Sequence, residues 1–564
     1  MTMITLQGMG LSFQEISPRE RLAVLLDDAH FTELVGPFDR IHSPWLLQQG
    51  LVPQADDGVI VARGRVDGNE VVAIAIEGGF EGGSVGEAGG AKIATALELA
   101  AESCRKGRPI AALLLLESGG VRLQEATLGL AAIASIQTGI LNLSEQAPVV
   151  AVIAGPVGCF GGMSLAAELC TYIIGTPHGR LGMNGPEVIE QEAGPDEIDA
   201  GDREMIWQLV GCEARYLDGW IDAFVQDDKK ALSVAVHEGM KKGPGMPARL
   251  AQTAEHLSRV RLGFGKSNQL SEIKGYTVSR GRLWLEKLSD GAVRQALATA
   301  SILTADIVLD AGRERAFAVS IVPDVDSKLP RAAAGELGLE QAWALAACID
   351  QFMAEEEKAG TRRPIVAVVD TPGQAYGRIE EQSCISAAAA AAVNAYARAR
   401  RAGHAVLTLV VGRAVSGSFL AHGLQSDHIF ALSDGGVSMY AMSAQSIARI
   451  TRRTLAEVQA AAAATLPMSF AIEDAHRLGV IDTLIENVCA DDPTVEDLAK
   501  VQSSLSDALV AHRRGDNSRS DIKENPYRRA THNVRHTMRA QWIAHDQETA
   551  DGKSLGIAGQ MVDV

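Results

Sequence analysis

The 564-residue sequence predicts an α/β fold made of two tandem domains that arose by internal duplication. Three observations predict it. Short apolar runs bounded by breakers, such as Pro109 to Leu116 and Pro148 to Ile153, read as buried strands. Each run opens into a glycine loop and then a helix-like Ala/Leu segment: Glu117-Ser118-Gly119-Gly120-Val121-Arg122-Leu123-Gln124-Glu125 after the first, Gly158-Cys159-Phe160-Gly161-Gly162 after the second. The same unit recurs in the second half, where Pro364 follows Pro109 by 255 residues and Gly417 follows Gly162 by the same interval.

In chain order, residues 1–60 read as helical and peripheral, with Ser17-Pro18 as a helix start. Val59 to Val66 and Val71 to Ile76 flank Asp67-Gly68-Asn69 and read as a β-hairpin. A glycine-rich stretch, 77–90, leads into a helix over Lys92 to Cys104, and the central stretch follows. Helices are expected from about 187 to 242. In the second half, Arg315 to Val322, Pro364 to Val369 and Ala405 to Val411 read as strands, and Leu339 to Glu355 and Ala387 to Arg401 as helices. The tail beyond about Asp507 reads as polar and basic, and as irregular at its end. The expected units are an N-terminal domain over 1–238, a basic Gly/Pro-rich linker over 239–278, and a C-terminal domain over 279–564.

Apolar residues make up 47% of the chain and charged residues 22%, as in ordinary globular proteins. A net charge of −18 argues against a general nucleic-acid binder. Two basic runs, 239–287 and 512–539, stand out as solvated faces or as landing sites for phosphates or an acidic partner. No apolar run reaches the ~20 residues of a membrane span. The first residues lack a signal-peptide pattern. Seven unpatterned cysteines suggest neither a disulfide framework nor a zinc site, and fit a reducing cytoplasm.

Two constellations carry chemistry. Gly82-Gly83-Ser84-Val85-Gly86 matches the hydrolase G-x-S-x-G pattern, but a glycine-rich context gives that match easily and no histidine stands out as its base. Gly161-Gly162 and Ser416-Gly417 open helices at matched places in both halves. Backbone N–H groups there would stabilise an oxyanion; close helix–strand packing is the competing explanation.

Glu117 to Glu125 resembles the SGG-x-R-x-QE motif of acyl-CoA carboxyltransferases. Gly82-Gly83-Ser84 with Lys92-Ile93 resembles their GGS…KI segment, and Asp370-Thr371-Pro372-Gly373 the DTPG motif of the companion subunit. Nearly the whole chain is covered, and the β and γ subunits of malonate decarboxylase joined in one chain are the nearest resemblance. This implies two crotonase-like (ClpP-like) domains. It also implies decarboxylation of a malonyl thioester, carried on the phosphopantetheine-type arm of an acyl carrier protein, within a complex that includes an acetyl/malonyl transferase subunit. By the resemblance, Gly161 and Gly162 hold the thioester oxygen, Gly119 and Gly120 complete the wall, and Ser416, Gly417 and Gly373 face the leaving carboxylate. Ser118, Arg122, Gln124, Cys159 and Phe160 line the substrate. No metal is required, no cofactor is bound covalently, and an oligomer is expected. Two alternatives stay open: transfer of the carboxyl group to a biotin carrier, and an inactive scaffold. Biotin-using relatives commonly carry Gly-Gly where this chain has Ser416-Gly417, and no biotin-accepting Met-Lys-Met segment occurs.

Overall fold

The computed structural model describes residues 12–263, 279–309, 314–515 and 525–550. Two sheets form, one per half. The first runs β1 (Phe31–Leu34), β2 (Val59–Val66), β3 (Asn69–Ile76), β4 (Ala111–Leu115), β5 (Val149–Ile153), β6 (Tyr172–Gly175) and β7 (Ala223–Phe224), in that spatial order. The second runs β8 (Arg294–Ala296), β9 (Thr299–Leu309), β10 (Glu314–Ile321), β11 (Ile365–Thr371), β12 (Val406–Val415), β13 (His428–Leu432) and β15 (Thr483–Ile485). β14 (Ser438–Tyr440) pairs with the far end of β12. In both sheets the first three strands pair antiparallel and the rest parallel. The parallel strands are buried on both faces, hence their continuous Val/Ile/Leu/Ala runs. The two-residue hairpin β2–β3 turns on Asp67 and Gly68, both at positive φ (51° and 75°).

The repeat is real, but its spacing is not constant. Val85 bridges Val121 as Leu337 bridges Gln374, and Ser118 bridges Cys159 as Thr371 pairs with Ala414. Gly120 therefore corresponds to Gly373 and Val121 to Gln374, 253 residues apart, whereas Cys159 and Ala414 are 255 apart. Turn lengths differ between the halves, so the Pro109–Pro364 match is not structural.

Three expectations change. The strands β1, β8 and β9 were not legible from periodicity. Part of the 239–278 linker is ordered: helix Thr253–Gly263 packs on helix Leu339–Ala359, with Thr253 Oγ1 donating to Asp350 at 3.0 Å. Residues 264–278 of the linker lie outside the described residues. Much of the described tail is helical, while its last residues, 551–564, lie outside the described residues. Helix Arg529–Ala550 leaves the second half and packs on helix Glu87–Arg105 of the first. There the Thr531 amide donates to Glu87 (2.9 Å), and Trp542 Nε1 donates to Ser103 (3.3 Å). The Arg63 guanidinium lies 4.2 Å from the Trp542 ring. This last helix thus completes the first domain, which a boundary at 279 had given wholly to the second.

The stretch Leu123–Ser144 is long and apolar enough to cross a membrane by length and composition, but 83% of its apolar window is buried within the protein. It is packed between helices Glu87–Arg105 and Gly162–Glu168.

Because Trp542 fills the first domain and covers the buried Arg63, Trp542→Ala should cost about 3–5 kcal/mol, the usual range for a buried aromatic. Urea unfolding of the full chain measures this.

Candidate active site

A cavity of about 1080 Å³ lies between the two halves. From the first half it takes Gly119, Val121, Gln124, Phe160, Gly161 and Gly162; from the second, Pro372, Gln374, Tyr376, Val415 and Ser416. These are the loop after the central strand and the start of the following short helix, once from each half.

Backbone amides decide what these walls can do. The Gly119 N–H donates to the Gly82 carbonyl (2.9 Å), Gly120 N–H to Ser118 Oγ (3.1 Å) and Gly161 N–H to the Met183 carbonyl (3.0 Å). Gly417 N–H donates to Gln374 Oε1 (3.1 Å). Among the described residues, the Gly162 N–H has no intrachain partner. Of the two amides expected at Gly161-Gly162, one is open, and the corresponding amide of the second half is filled by a side chain.

The glycines' missing side chains point elsewhere than expected. A Cβ on Gly162 would come within 2.6 Å of Leu420 and 2.9 Å of Ile133; one on Gly417 would come within 2.0 Å of Met183 Cε. Each faces a residue of the opposite half, Leu420 and Met183. Both glycines thus serve close packing between the halves, and Gly162 leaves its amide open as well. Gly120 and Gly161 stand at positive φ (101° and 60°), and a Cβ on Gly161 would lie 3.3 Å from the Gly120 Cα, so the two loops meet through glycine alone. Gly373 has only ordinary contacts, 3.5 Å to the Tyr376 hydroxyl.

A buried polar chain crosses the cavity floor. Glu381 accepts from the amides of Met183 (3.1 Å) and Asn184 (2.7 Å) and from Asn184 Nδ2 (3.0 Å), with Arg215 at 3.7 Å. Asn184 Oδ1 then accepts from Gln374 Nε2 (2.9 Å), whose own oxygen takes the Gly417 amide. Burial pushes the Glu381 carboxyl up, and Arg215 with the Asn184 and Met183 donors pulls it back. Sequence reading missed Glu381, Asn184 and Gln374, since polar residues in glycine-rich loops carry no periodic signal.

Arg331 grips Glu336 through two bonds (2.7 and 2.8 Å) and lies 4.7 Å from the Tyr376 ring. Burial pushes the Tyr376 phenol well up, so it stays protonated. Arg180 is held by the Pro156 carbonyl (2.7 Å) and the rings of Phe160 and Trp207. Arg452 and Arg453 line the cavity as well, and among the described residues neither has an acidic partner within ion-pair distance.

Several expected substrate contacts are structural instead. Arg122 is buried and bonds Asp57 (2.8 Å), Glu125 (3.0 Å) and the Ser84 carbonyl (2.9 Å). Ser118 is buried, and its hydroxyl accepts the Gly120 amide. Cys159 is buried, with burial pushing its thiol well up. None of the three lines the cavity, whereas Gln124 and Phe160 do. Ser84 lines it too, but its hydroxyl donates to the Glu81 carbonyl (2.7 Å), and no histidine is among the described lining residues, so the hydrolase pattern lacks its base. The basic runs are largely spent on internal pairs: Arg249 with Glu168, Arg261 with Glu340, Arg280 with Asp434 and Asp491, Arg535 with Glu98, Arg539 with Glu102. Residues 264–278 and 516–524 of those runs lie outside the described residues.

Two α/β domains whose strand-end loops and helix starts face one another across a shared cavity define a carboxyltransferase-type protein. The carboxyl transferase domain family matches residues 15–240, and the malonate decarboxylase gamma subunit family matches residues 332–542. The malonyl-S-ACP:biotin-protein carboxyltransferase MADC of Malonomonas rubra is 40% identical over 219 residues, 37% of this chain and 69% of that protein. The corresponding MADD is 34% identical over 167 residues, 29% of this chain and 57% of MADD. A chain in the crystal structure of a Pseudomonas malonate decarboxylase hetero-tetramer in complex with malonate is 57% identical, with a TM-score of 0.43; the match covers 44% of this chain and 91% of that one. The chain belongs to the malonate decarboxylase family, with β-type and γ-type halves joined in one polypeptide.

Since Gly162 faces Leu420, Gly162→Ala should cost about 1–3 kcal/mol by overpacking. Combined with Leu420→Ala, which alone costs about 2–5 kcal/mol, the loss should be smaller than the sum of the two. A double-mutant cycle in urea tests this; strict additivity would place the Gly162 side-chain direction elsewhere.

Proposed function

We propose that this chain decarboxylates a malonyl thioester, giving an acetyl thioester and CO2. The observation that carries the reading is the unpartnered Gly162 amide in a cavity built by both halves. Loss of CO2 leaves the bonding electrons on the α-carbon and the thioester oxygen. An unpartnered amide of a cavity-lining residue can stabilise that oxygen without first breaking another bond, and one such donor is worth roughly 10²–10³ in rate. Holding the carboxylate out of the thioester plane aligns the breaking bond with the enolate system, and a walled cavity limits water. Gly119 and Gly120 shape the first wall. In this reading Ser416, which lines the cavity, takes the side toward the carboxylate, with Gly417 and Gly373 next to the lining rather than in it.

The substrate is read as malonyl on the phosphopantetheine-type arm of an acyl carrier protein, with the arm supplied by that partner. A transferase subunit that loads the carrier and a multi-subunit assembly belong to the same reading. The carrier-bound substrate is supported by the likeness to the malonyl-S-ACP:biotin-protein carboxyltransferase, and the assembly by the likeness to a hetero-tetramer chain. Arg452 and Arg453 offer unpaired cations for the arm's phosphodiester, a role the two basic runs cannot fill where they are internally paired.

The second reading is carboxyl transfer to a biotin carrier, favoured by the 40% identity to MADC. The full chain with malonyl-loaded carrier protein and a biotinylated carrier protein should release CO2 and form acetyl carrier with avidin present or absent. Avidin-sensitive turnover would favour biotin transfer; no turnover under either condition would favour the scaffold.

A further inference from the structure

We propose that Gln374 is a built-in occupant of the second amide hole, which keeps the carbonyl of an external acceptor out and so commits the carboxyl group to leave as CO2. This rests on the decarboxylase reading above.

The argument starts from the repeat. The two strand-end loops superimpose in pattern, Glu117-Ser118-Gly119-Gly120-Val121 on Asp370-Thr371-Pro372-Gly373-Gln374, through the matched bridges of Val85 with Val121 and Leu337 with Gln374. Both Val121 and Gln374 line the cavity. In the first half the side chain is apolar and the amide at the adjacent helix start, Gly162, stays open. In the second half the side chain carries an oxygen, and that oxygen sits 3.1 Å from the Gly417 nitrogen. The position a ligand oxygen would take at the first hole is taken at the second by the chain itself.

The orientation of the Gln374 amide is fixed by chemistry. The Ala375 carbonyl can only accept hydrogen bonds, so Asn184 must turn its Nδ2 toward it; Nδ2 donates to the Ala375 carbonyl and to Glu381 Oε1, both at 3.0 Å. Asn184 Oδ1 then faces Gln374 and must receive its NH2 group, at 2.9 Å. That leaves the Gln374 carbonyl for Gly417. Rotating it away would break this bond and the one to Asn184 together, in a buried setting where unmade bonds are costly.

An acceptor carrying a carbonyl beside a nucleophilic N–H, as in the ureido ring of biotin, needs a donor to hold that carbonyl. Transfer would break the malonyl carboxyl C–C bond, form an N–C bond on the acceptor and pass the acceptor's proton to the α-carbon. With Gly417 occupied, the C–C bond breaks, the electron pair goes to the α-carbon, a solvent-derived proton completes acetyl, and CO2 departs.

The test uses the full chain with malonyl-CoA labelled in the free carboxyl, and free biotin in excess as the probe. CO2 and base-stable labelled carboxybiotin are counted, and unfolding midpoints confirm that each variant is folded. Wild type should give CO2 without carboxybiotin. Gln374→Ala should give carboxybiotin at least tenfold above the wild-type background. Gln374→Met, which keeps the bulk but not the oxygen, should give an intermediate amount and serves if the alanine variant does not fold. Folded variants that still release CO2 but form no carboxybiotin would overturn the role of Gln374 and leave the decarboxylase reading standing. Wild type forming carboxybiotin as fast as CO2 would overturn both.

Discussion

The Glu381 carboxylate is the constraint on which the rest of the cavity depends. It comes from the short helix Arg378–Gln382 of the second half and is satisfied almost wholly by the first half: two backbone amides, the Asn184 side chain and Arg215. A fully buried carboxylate is expensive unless paired and hydrogen-bonded. That cost makes the arrangement selective: any shift of one half against the other leaves a buried carboxyl group without its hydrogen bonds. The two halves are therefore held in one register, and Gly162 and Gly417 can each pack against a residue of the opposite half, Leu420 and Met183, at glycine distance. Glu168 makes the reciprocal crossing, from the first half into the second, where Ser386 and Cys384 donate to it.

The motif that most clearly marks the family is mainly a wall. A Cβ on Gly83 would lie 1.9 Å from the Glu117 carbonyl oxygen, one on Gly155 2.0 Å from the Glu117 carboxyl carbon, and one on Gly86 1.9 Å from Glu125. Carboxylates fill the spaces that glycines leave. Their charges are met by Arg21 on Glu117 (2.6 Å) and by Arg122 on Asp57 and Glu125. Lys92 of the GGS…KI segment is likewise buried, donating to the Asp56 and Val59 carbonyls, and burial pushes its amine down to about 8. These residues resemble site residues because they fix the loop that carries Gly119 to Val121, while Gly119 and Val121 themselves line the cavity.

Most of the fold was legible in the sequence because its core is parallel sheet. Strands buried on both faces read as unbroken apolar runs, and glycine loops mark their ends, so β4, β5, β11 and β12 could be placed to within a few residues. The elements that were not legible are those fixed by tertiary contact. β1 is a four-residue edge strand, and β8 and β9 have mixed patterns. Helix Arg529–Ala550 has a polar, basic sequence that becomes ordered because Val534, Met538 and Trp542 find a face on the first domain. The cavity walls were legible through Gly119, Gly161, Gly162 and Ser416. The availability of their amides was not, because it depends on which carbonyl or side chain arrives from elsewhere, as Met183 does at Gly161 and Gln374 at Gly417.

Duplication gave two holes of one shape, and the positions that differ between them are informative. The backbone was kept: φ is positive at Gly161 (60°) and also at Ser416 (53°), where a side chain makes that conformation strained. A serine held there shows that the second helix start is constrained by its surroundings, with Thr371 and Ser418 hydroxyls bonded at 3.0 Å and Ser418 donating to the Val415 carbonyl (2.6 Å) beneath it. The lining was changed: Val121 in one half, Gln374 in the other. A hole whose shape is preserved while its donor is capped from within still walls the cavity and excludes water, but it has lost the means to hold a second reactant. On the proposed decarboxylase reading, division of labour between the halves then follows from one side chain, with the first half handling the developing charge and the second shaping the space into which the carboxyl group departs.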